Sequence, residues 1–483
     1  MDDLWQISGG LCRLGIQGPS IHAKITGDGV YLSMQDSEQE GLLPALDETG
    51  EQRPKRCCCC LTRESARQVQ GPANRLLRFD DLLGAVFDPL TGIIRLVYCP
   101  RLSGNRVRRE VFLHISGDDK VFSKVREWAG QVTEKSTTKG GPRRYRAFIN
   151  PVSGKGQAET LWSELRGLLT SLPYLQISDV FTTRAGEAME LAAQLDPREC
   201  DGILVVSGDG MVHEVFNGLA KNHADPSKAL GIAVGHIPAG SGNALAKSIL
   251  HDSGESYGTL DAAFLIAKGK TQPIDLMTVS QPGRPDRTSF LSLSAGVIAD
   301  IDLASEWLRF LGSFRFDLYG ALCVVYPRPL EAELCYWPAS CTETPGQSPS
   351  IDAELPPGPW VTVTAKFTVL WAANCAWASS NAHLAPGHGM GNGSWSIVLL
   401  RDAGRLSLTR FLLRMEDGGH LEVDGAERVD CKAFRLVPKT DRGLFSLDGE
   451  EVPLEPIQFW PAAPGRVIGA PTSNEQCDLV SAV

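Results

Sequence analysis

The spacing of apolar positions changes character twice along this chain of 483 residues. In the first 140, short runs rich in β-branched and aromatic residues occur at 29–33, 92–98 and 110–115. A run at 120–129 then sets Val121, Phe122, Val125 and Trp128 on one side of a helix. Several short strands closed by one helix are predicted. The stretch 135–142 is polar and glycine-rich, which marks a boundary. From residue 143 strand-like and helix-like patterns take turns: strands at 145–150, 177–182, 203–206 and 230–237, helices at 158–169 and 185–195, and a further helix after residue 208. Such alternation implies a parallel sheet with helices on both faces.

After Pro273 strands dominate, at 360–368, 394–401, 433–438 and 443–447, with helical patterns at 303–310 and 314–324. This texture predicts an antiparallel, sandwich-like domain. Residues 338–359, rich in Pro, Ser and Thr, read as a surface insertion, and 463–483 as a flexible tail. The expected fold class is therefore α/β plus all-β. A small β-rich domain of the pleckstrin-homology type spans 1–140, an α/β domain spans 141–278, and a β-rich domain spans 279–462.

Composition narrows the function classes. Hydrophobic residues make up 43% and charged ones 22%, as in soluble globular proteins. The apolar stretch 361–378 contains Lys366 and Asn374 and alternates, so it reads as a core strand and no transmembrane segment is expected. The acidic start Met1, Asp2, Asp3 lacks the apolar core of a signal peptide, so with thirteen cysteines the expectation is reduced thiols in the cytoplasm. Net charge is −10, yet residues 51–146 carry 20 Lys/Arg against 10 Asp/Glu, leaving the remainder at −20. A basic segment on an acidic protein predicts peripheral contact with an anionic membrane surface. Nucleic acid is disfavoured, because the segment lacks interleaved aromatics and any zinc-finger or RNA-binding signature. The run Cys57–Cys60 reads as a loop or as an S-acylation site beside basic residues. Zinc is disfavoured there because no partner pair stands at finger-like spacing. Nothing in the sequence sets an oligomeric state.

Three glycine-bearing turns follow three of the predicted strands: N-P-V-S-G-K-G at 150–156, S-G-D-G at 207–210 and G-S-G-N at 240–243. None has the spacing of a P-loop or of G-x-G-x-x-G. Each alone is an ordinary turn. Together at one edge of one parallel sheet they bring small residues, backbone N–H groups and helix N-termini to the place where such sheets bind phosphates. Asp209, between two glycines, adds a carboxylate to that place.

In this order the turns resemble the diacylglycerol-kinase-type catalytic domain, most closely the sphingosine kinases. The likeness continues through S-A-G-V-I-A-D-I-D-L-A-S-E at 294–306 and R-F-L-L-R-M-E-D-G-G-H at 410–420 to F-S-L-D-G-E at 445–450, and covers residues 143–460. The basic N-terminal region resembles plant-type long-chain-base kinases more loosely. The resemblance implies an ATP- and Mg²⁺-dependent kinase acting on the primary hydroxyl of a sphingoid base, with ceramide or diacylglycerol as alternative acceptors. More remote are an NAD kinase and a non-catalytic membrane-docking pseudokinase. It implies Asp209 as general base within a substrate-binding turn of Ser207, Gly208, Asp209 and Gly210. Nucleotide contacts would come from Asn150, Pro151, Val152, Thr182, Thr183, Arg184, Ala185, Gly186, Glu214, Gly240, Ser241 and Gly242. Arg309 and Arg315 would reach the phosphates, and Asp448, Gly449 and Glu450 would reach the nucleotide or its Mg²⁺. Asp302, and beside it Asp300, would bind the sphingoid ammonium and hydroxyls. On residues alone, Asp302 also reads as the N-cap of a helix at 303–310. The apolar residues Trp307, Leu308, Phe310, Phe314, Phe316, Leu318 and Tyr319 read either as an acyl-chain wall or as core. His213 and His236 read as satisfied helix and core histidines. No metal-ligand set is assigned.

Overall fold

The computed structural model describes residues 9–10, 20–34, 75–115, 117–138, 142–305 and 314–470. The chain divides into two compact units, Met1–Lys139 and Gly140–Val483. The cysteine run at 57–60 lies outside the described residues.

In the first unit an antiparallel sheet orders Gly9–Gly10, Ser20–Ile25, Gly29–Met34 and Arg75–Arg78. A second sheet orders Leu82–Asp88, Ile93–Tyr98 and Arg109–His114. The helix Asp119–Ser136 follows, its N-terminus capped by Asp118, whose carboxylate accepts from Val121 N at 3.0 Å. It runs longer than its pattern predicts, and its buried stripe is Val125, Trp128, Ala129 and Val132, packed with Val30, Leu77, Leu96 and Leu113. Val121, expected inside, is exposed, because the seam follows the i, i+3, i+4, i+7 set starting at Val125.

The second unit opens with a six-stranded sheet in the order Leu175–Phe181, Arg143–Ile149, Gly202–Ser207, Ala233–Pro238, Gly465–Ile468 and Thr271–Ile274. The first four strands are parallel, as the alternating pattern predicts. Alternation across Gly202–Ser207 turns Ile203 and Val205 toward the helix Asp209–Ala220. Leu204 shares the other face with Ile266 of the helix Thr259–Lys268. The chain reverses direction across the sheet between Arg143–Ile149 and Gly202–Ser207, which is the topological switch point.

Part of the expected tail is structural. Gly465–Ile468 pairs parallel with Ala233–Pro238 and antiparallel with Thr271–Ile274, so the chain's end completes the first sheet. The sequence shows only four residues there, too short for a period. Gly465 fits because a Cβ would stand 2.8 Å from the Phe216 ring.

After Ile274 the chain enters a ten-stranded antiparallel sheet. Its two longest strands, Val361–Ala373 and Ala426–Pro438, each pair with both Leu330–Pro338 and Trp395–Arg401, so these four strands form a closed ring. Leu334, Phe367, Trp395 and Phe434 from these strands share one buried cluster with Phe459 of Ile457–Pro461. A second apolar layer, with Val369, Val398, Phe411 and Tyr319, is built from this sheet and the helices Val297–Ala304, Phe314–Val325 and Arg405–Leu413. Beyond Pro338, which ends its strand, the insertion at 338–359 has no helix or strand but is tied down. The buried Arg435 donates to the carbonyls of Ala353 and Ser350, and Trp460 Nε1 donates to Gly346 O at 2.8 Å.

One core joins the two sheets. Val212, Val215 and Phe216 from the first half pack with Phe290, Leu291, Cys375 and Met390 from the second, and the Phe216 and Phe290 rings stand 5.5 Å apart. Each such large side chain contributes on the order of 1.5–3 kcal/mol by leaving water. The halves are therefore held in one relative position.

Candidate functional site

The parallel register brings Ile149, Val206 and Ser207 to the same end of the sheet, and the three glycine turns leave it side by side. They are fastened to each other through backbone. Asp209 N donates to Gly242 O at 3.0 Å, Ala239 N to Ser207 O at 3.0 Å, and Ser153 Oγ to Ala239 O at 3.1 Å. A Cβ on Gly240 would overlap the Gly208 backbone, and one on Gly208 would stand 2.7 Å from Gly242 O. Asn243 closes the third turn, accepting from Gly240 N at 3.0 Å and donating to Gly240 O at 2.8 Å. Ser241 and Gly242 face solvent.

Asp209 starts the helix that follows the second turn and is 8% exposed. Its carboxylate accepts from Ala244 N at 2.7 Å and Leu245 N at 3.1 Å, the first amides of the helix Ala244–Asp252. Burial raises its pKa above the ordinary carboxylate value, against the pull of these N–H groups. Beside it lies His236, whose Nδ1 is 3.8 Å from Asp209 Oδ1.

The turn at 448–450 reaches this place from the second half. Asp448, in a left-handed backbone conformation, is buried, and its carboxylate meets five donors. Ser289 Oγ, Leu291 N and Ser292 N donate to Oδ1 at 2.7, 3.0 and 2.8 Å, and Phe290 N and His213 Nδ1 approach Oδ2 at 3.2 and 2.8 Å. Thr288 N donates to Asn217 Oδ1 at 2.9 Å, so the Asn217 amide nitrogen is the atom 3.2 Å from His213 Nε2. That nitrogen is a donor, so Nε2 is the bare atom and Nδ1–H donates to Asp448. Glu450, exposed, points Oε1 to within 3.8 Å of where a Cβ on Gly210 would stand. Two residues before Asp448, Ser446 donates to Asp302 Oδ2 at 2.7 Å, which ties the helix Val297–Ala304 to the same hairpin.

A model of the diacylglycerol kinase catalytic domain matches residues 144–279. Sphingosine kinase 1 of Arabidopsis thaliana is 29% identical over 379 residues, covering 73% of this chain and 77% of that protein. Sphingosine kinase 1 of Homo sapiens is 32% identical over 349 residues, covering 66% of this chain and 90% of that protein. The chain belongs to the sphingosine kinase family. A solved Bacillus anthracis str. Sterne protein described as a diacylglycerol kinase shares the fold, with a TM-score of 0.50 at 17% identity over 69% of this chain and 97% of its own.

In this member of the sphingosine kinase family, several residues expected at the nucleotide have partners within the chain. The Asp448 carboxylate meets five internal donors. Glu214 accepts from Gly186 N at 2.9 Å and Ala188 N at 3.2 Å, so it shapes the 182–186 loop and caps the helix Glu187–Gln194. Thr182 is buried against Ile149 O, Thr183 is bonded to Glu187, and Arg184 pairs with Glu190. Asn150 Oδ1 accepts from Val152 N at 3.2 Å, holding the first turn, where Val152 is exposed.

Asp302 is no N-cap. The helix begins at Val297, capped by Gly296, and carries both Asp300 and Asp302 in its body on different faces. Asp300 is buried, which raises its pKa, with Arg328 opposing. Arg309, Trp307, Leu308 and Phe310 lie outside the described residues. Arg315, Phe314 and Phe316 fall on the backbone of the helix Phe314–Val325, where Leu318 is exposed and Tyr319 packs in the outer apolar layer. His213 is satisfied, as read, but its partners, and the roles of Asn217 and Asn243, are not readable from the sequence. Their partners lie elsewhere in the chain or depend on a turn's closure, and no local pattern announces them. Among the described residues no group of three His, Cys, Asp or Glu could hold a metal, and no helix is long and apolar enough to cross a membrane.

Proposed function

We propose that this chain transfers the γ-phosphoryl group of ATP to the primary hydroxyl of a sphingoid base, giving the 1-phosphate. The observation that carries the reading is the buried carboxylate of Asp209, set among three interlocked backbone turns at the switch point. Phosphoryl transfer asks chiefly for positioning and charge neutralisation. The exposed Gly240–Gly242 backbone and the first turn cradle phosphates, and Arg309 and Arg315 supply positive charge. Asp209 accepts the hydroxyl proton as the oxygen attacks phosphorus. Asp302 pairs with the ammonium, a contact a neutral glyceride lacks.

Mg²⁺ fits this donor set as a companion of the nucleotide. The ion takes one or two carboxylates plus phosphate oxygens and water, and Glu450 is an exposed carboxylate at the turn. When bound it neutralises phosphate charge. The apolar layer between the second sheet and the helices at 297–304, 314–325 and 405–413 takes the lipid chain, with ATP in the cleft between the two halves. The first unit, with two larger antiparallel sheets, a two-stranded pair at 101–106 and a following helix, is read as a pleckstrin-homology-like module that docks on anionic membrane.

The test is conversion of sphingosine to a 1-phosphate in the presence of ATP and Mg²⁺, read by mass spectrometry. Asp209→Asn is expected to lose at least about 10²-fold in kcat, the scale of general-base removal. Full activity in that variant would remove Asp209 from its role.

A further inference from the structure

Asp209 has a difficulty as a base. Two backbone N–H groups and a helix N-terminus favour its charged form, and a carboxylate so held gives up basicity. Burial opposes them and raises its pKa above the ordinary value. We propose that His236 also favours the protonated form, by turning a bare ring nitrogen toward the Asp209 carboxyl group.

His236 is 4% exposed in the middle of the Ala233–Pro238 strand. Its Nε2 lies 3.1 Å from Ser207 O. A carbonyl oxygen only accepts, so Nε2 carries the hydrogen and Nδ1 carries a lone pair. That Nδ1 is buried, has no hydrogen-bond partner, and stands 3.8 Å from Asp209 Oδ1. An unpartnered buried nitrogen is costly, and here it faces the one group whose protonation would satisfy it. Two lone pairs confront each other while Asp209 is ionised. Once Asp209 is protonated, its O–H closes on Nδ1. The carboxylate is thereby disfavoured and the acid favoured, which strengthens the base. Burial depresses the His236 pKa and keeps the ring neutral, whereas an imidazolium would act in the opposite sense. The other titratable groups within electrostatic reach of Asp209 are Asp448, Tyr257 and Cys375.

In the reaction the hydroxyl O–H bond breaks as the O–P bond forms and ADP departs. The proton rests on Asp209, hydrogen-bonded to Nδ1, and returns to water as product leaves. His236 is thus a positioning residue acting through Asp209. The inference rests on the reading of Asp209 as the base.

The test uses the full chain with ATP and sphingosine in detergent micelles, following kcat and both KM values across pH. His236→Phe keeps ring bulk without the lone pair. His236→Gln keeps an N–H for Ser207 O and also lacks the bare nitrogen. Both variants are expected to shift the acid limb of kcat to lower pH and to lower kcat at neutral pH by about tenfold, with KM for ATP within about twofold. The double variant with Asp209→Asn is expected to be no slower than Asp209→Asn alone. An unmoved acid limb, or a further slowing of the Asp209→Asn enzyme by the same factor, overturns the role of His236. Full activity of Asp209→Asn would instead defeat the base assignment itself.

Discussion

The imidazole of His213 donates through Nδ1 to Asp448 Oδ2 at 2.8 Å, joining the helix that begins with Asp209 to the hairpin that carries Glu450. One turn further along that helix, Asn217 bonds both the N–H and the carbonyl of Thr288. The helix of the candidate base is thus pinned to the second half at two successive turns. Replacing His213 by Ala leaves a buried carboxylate one donor short. The expected cost is about 1–3 kcal/mol in urea unfolding. His213→Asn, which can offer an N–H near the same place, is expected to recover part of it.

Gly208 and Gly240 touch backbone to backbone, and neither has a positive φ. Alanine at 240 is therefore a question of space alone. The added methyl would push the third turn off the second, at about 1–3 kcal/mol by the usual scale of overpacking. The phosphate cradle would widen with it. KM for ATP is expected to rise in Gly240→Ala with KM for the lipid little changed, as steady-state kinetics varying each substrate would check.

The alternation of strands and helices over 145–237 was legible because the two central strands, Gly202–Ser207 and Ala233–Pro238, are short apolar runs buried on both faces, and Arg143–Ile149 ends in another buried apolar run. The three turns were legible as a set for the same reason, since register alone brings their ends together. Gly465–Ile468 was not, because its partners are over 190 residues earlier and its own pattern is four residues long. The helix carrying Asp300 and Asp302 starts six residues before the predicted one, at a left-handed Gly296 that nothing in the sequence marks. Asp448 reads from the sequence as a site residue, and nothing there marks it as a structural hub. A carboxylate after a strand looks alike whether it meets Mg²⁺ or five internal donors.

His383 stacks on Trp377 with ring centroids 4.3 Å apart, and burial, helped by His251, His420 and Lys247, pushes its pKa down from 6.5 to about 4. The unfolded chain therefore binds a proton at this residue from pH 6.5 downward, while the folded chain refuses it until about 4. Stability from this residue is intact above that window and is lost as pH falls through it. His236, His388 and His420, also depressed by burial, act in the same direction. His383→Phe keeps the stack and removes the titration. Its urea midpoint is expected to fall less than wild type between about pH 7 and 4.5.

Asp302 Oδ2 already accepts from Ser446 at 2.7 Å, a bond that an Asn side chain can keep through its carbonyl. Asp302→Asn therefore removes charge with little change of shape. A charge-assisted contact to the sphingoid ammonium is worth about 1.5–3 kcal/mol, so KM for sphingosine is expected to rise about tenfold or more. KM for ATP is expected to stay unchanged, and the comparison of the two constants separates lipid recognition from general damage.

The most direct measurement offers sphingosine, ceramide and diacylglycerol to the full chain in identical micelles with labelled ATP and Mg²⁺, and counts the label in each lipid. Label is predicted in sphingosine 1-phosphate, with ceramide and diacylglycerol at background. Label in ceramide or diacylglycerol with none in sphingosine would contradict the reading.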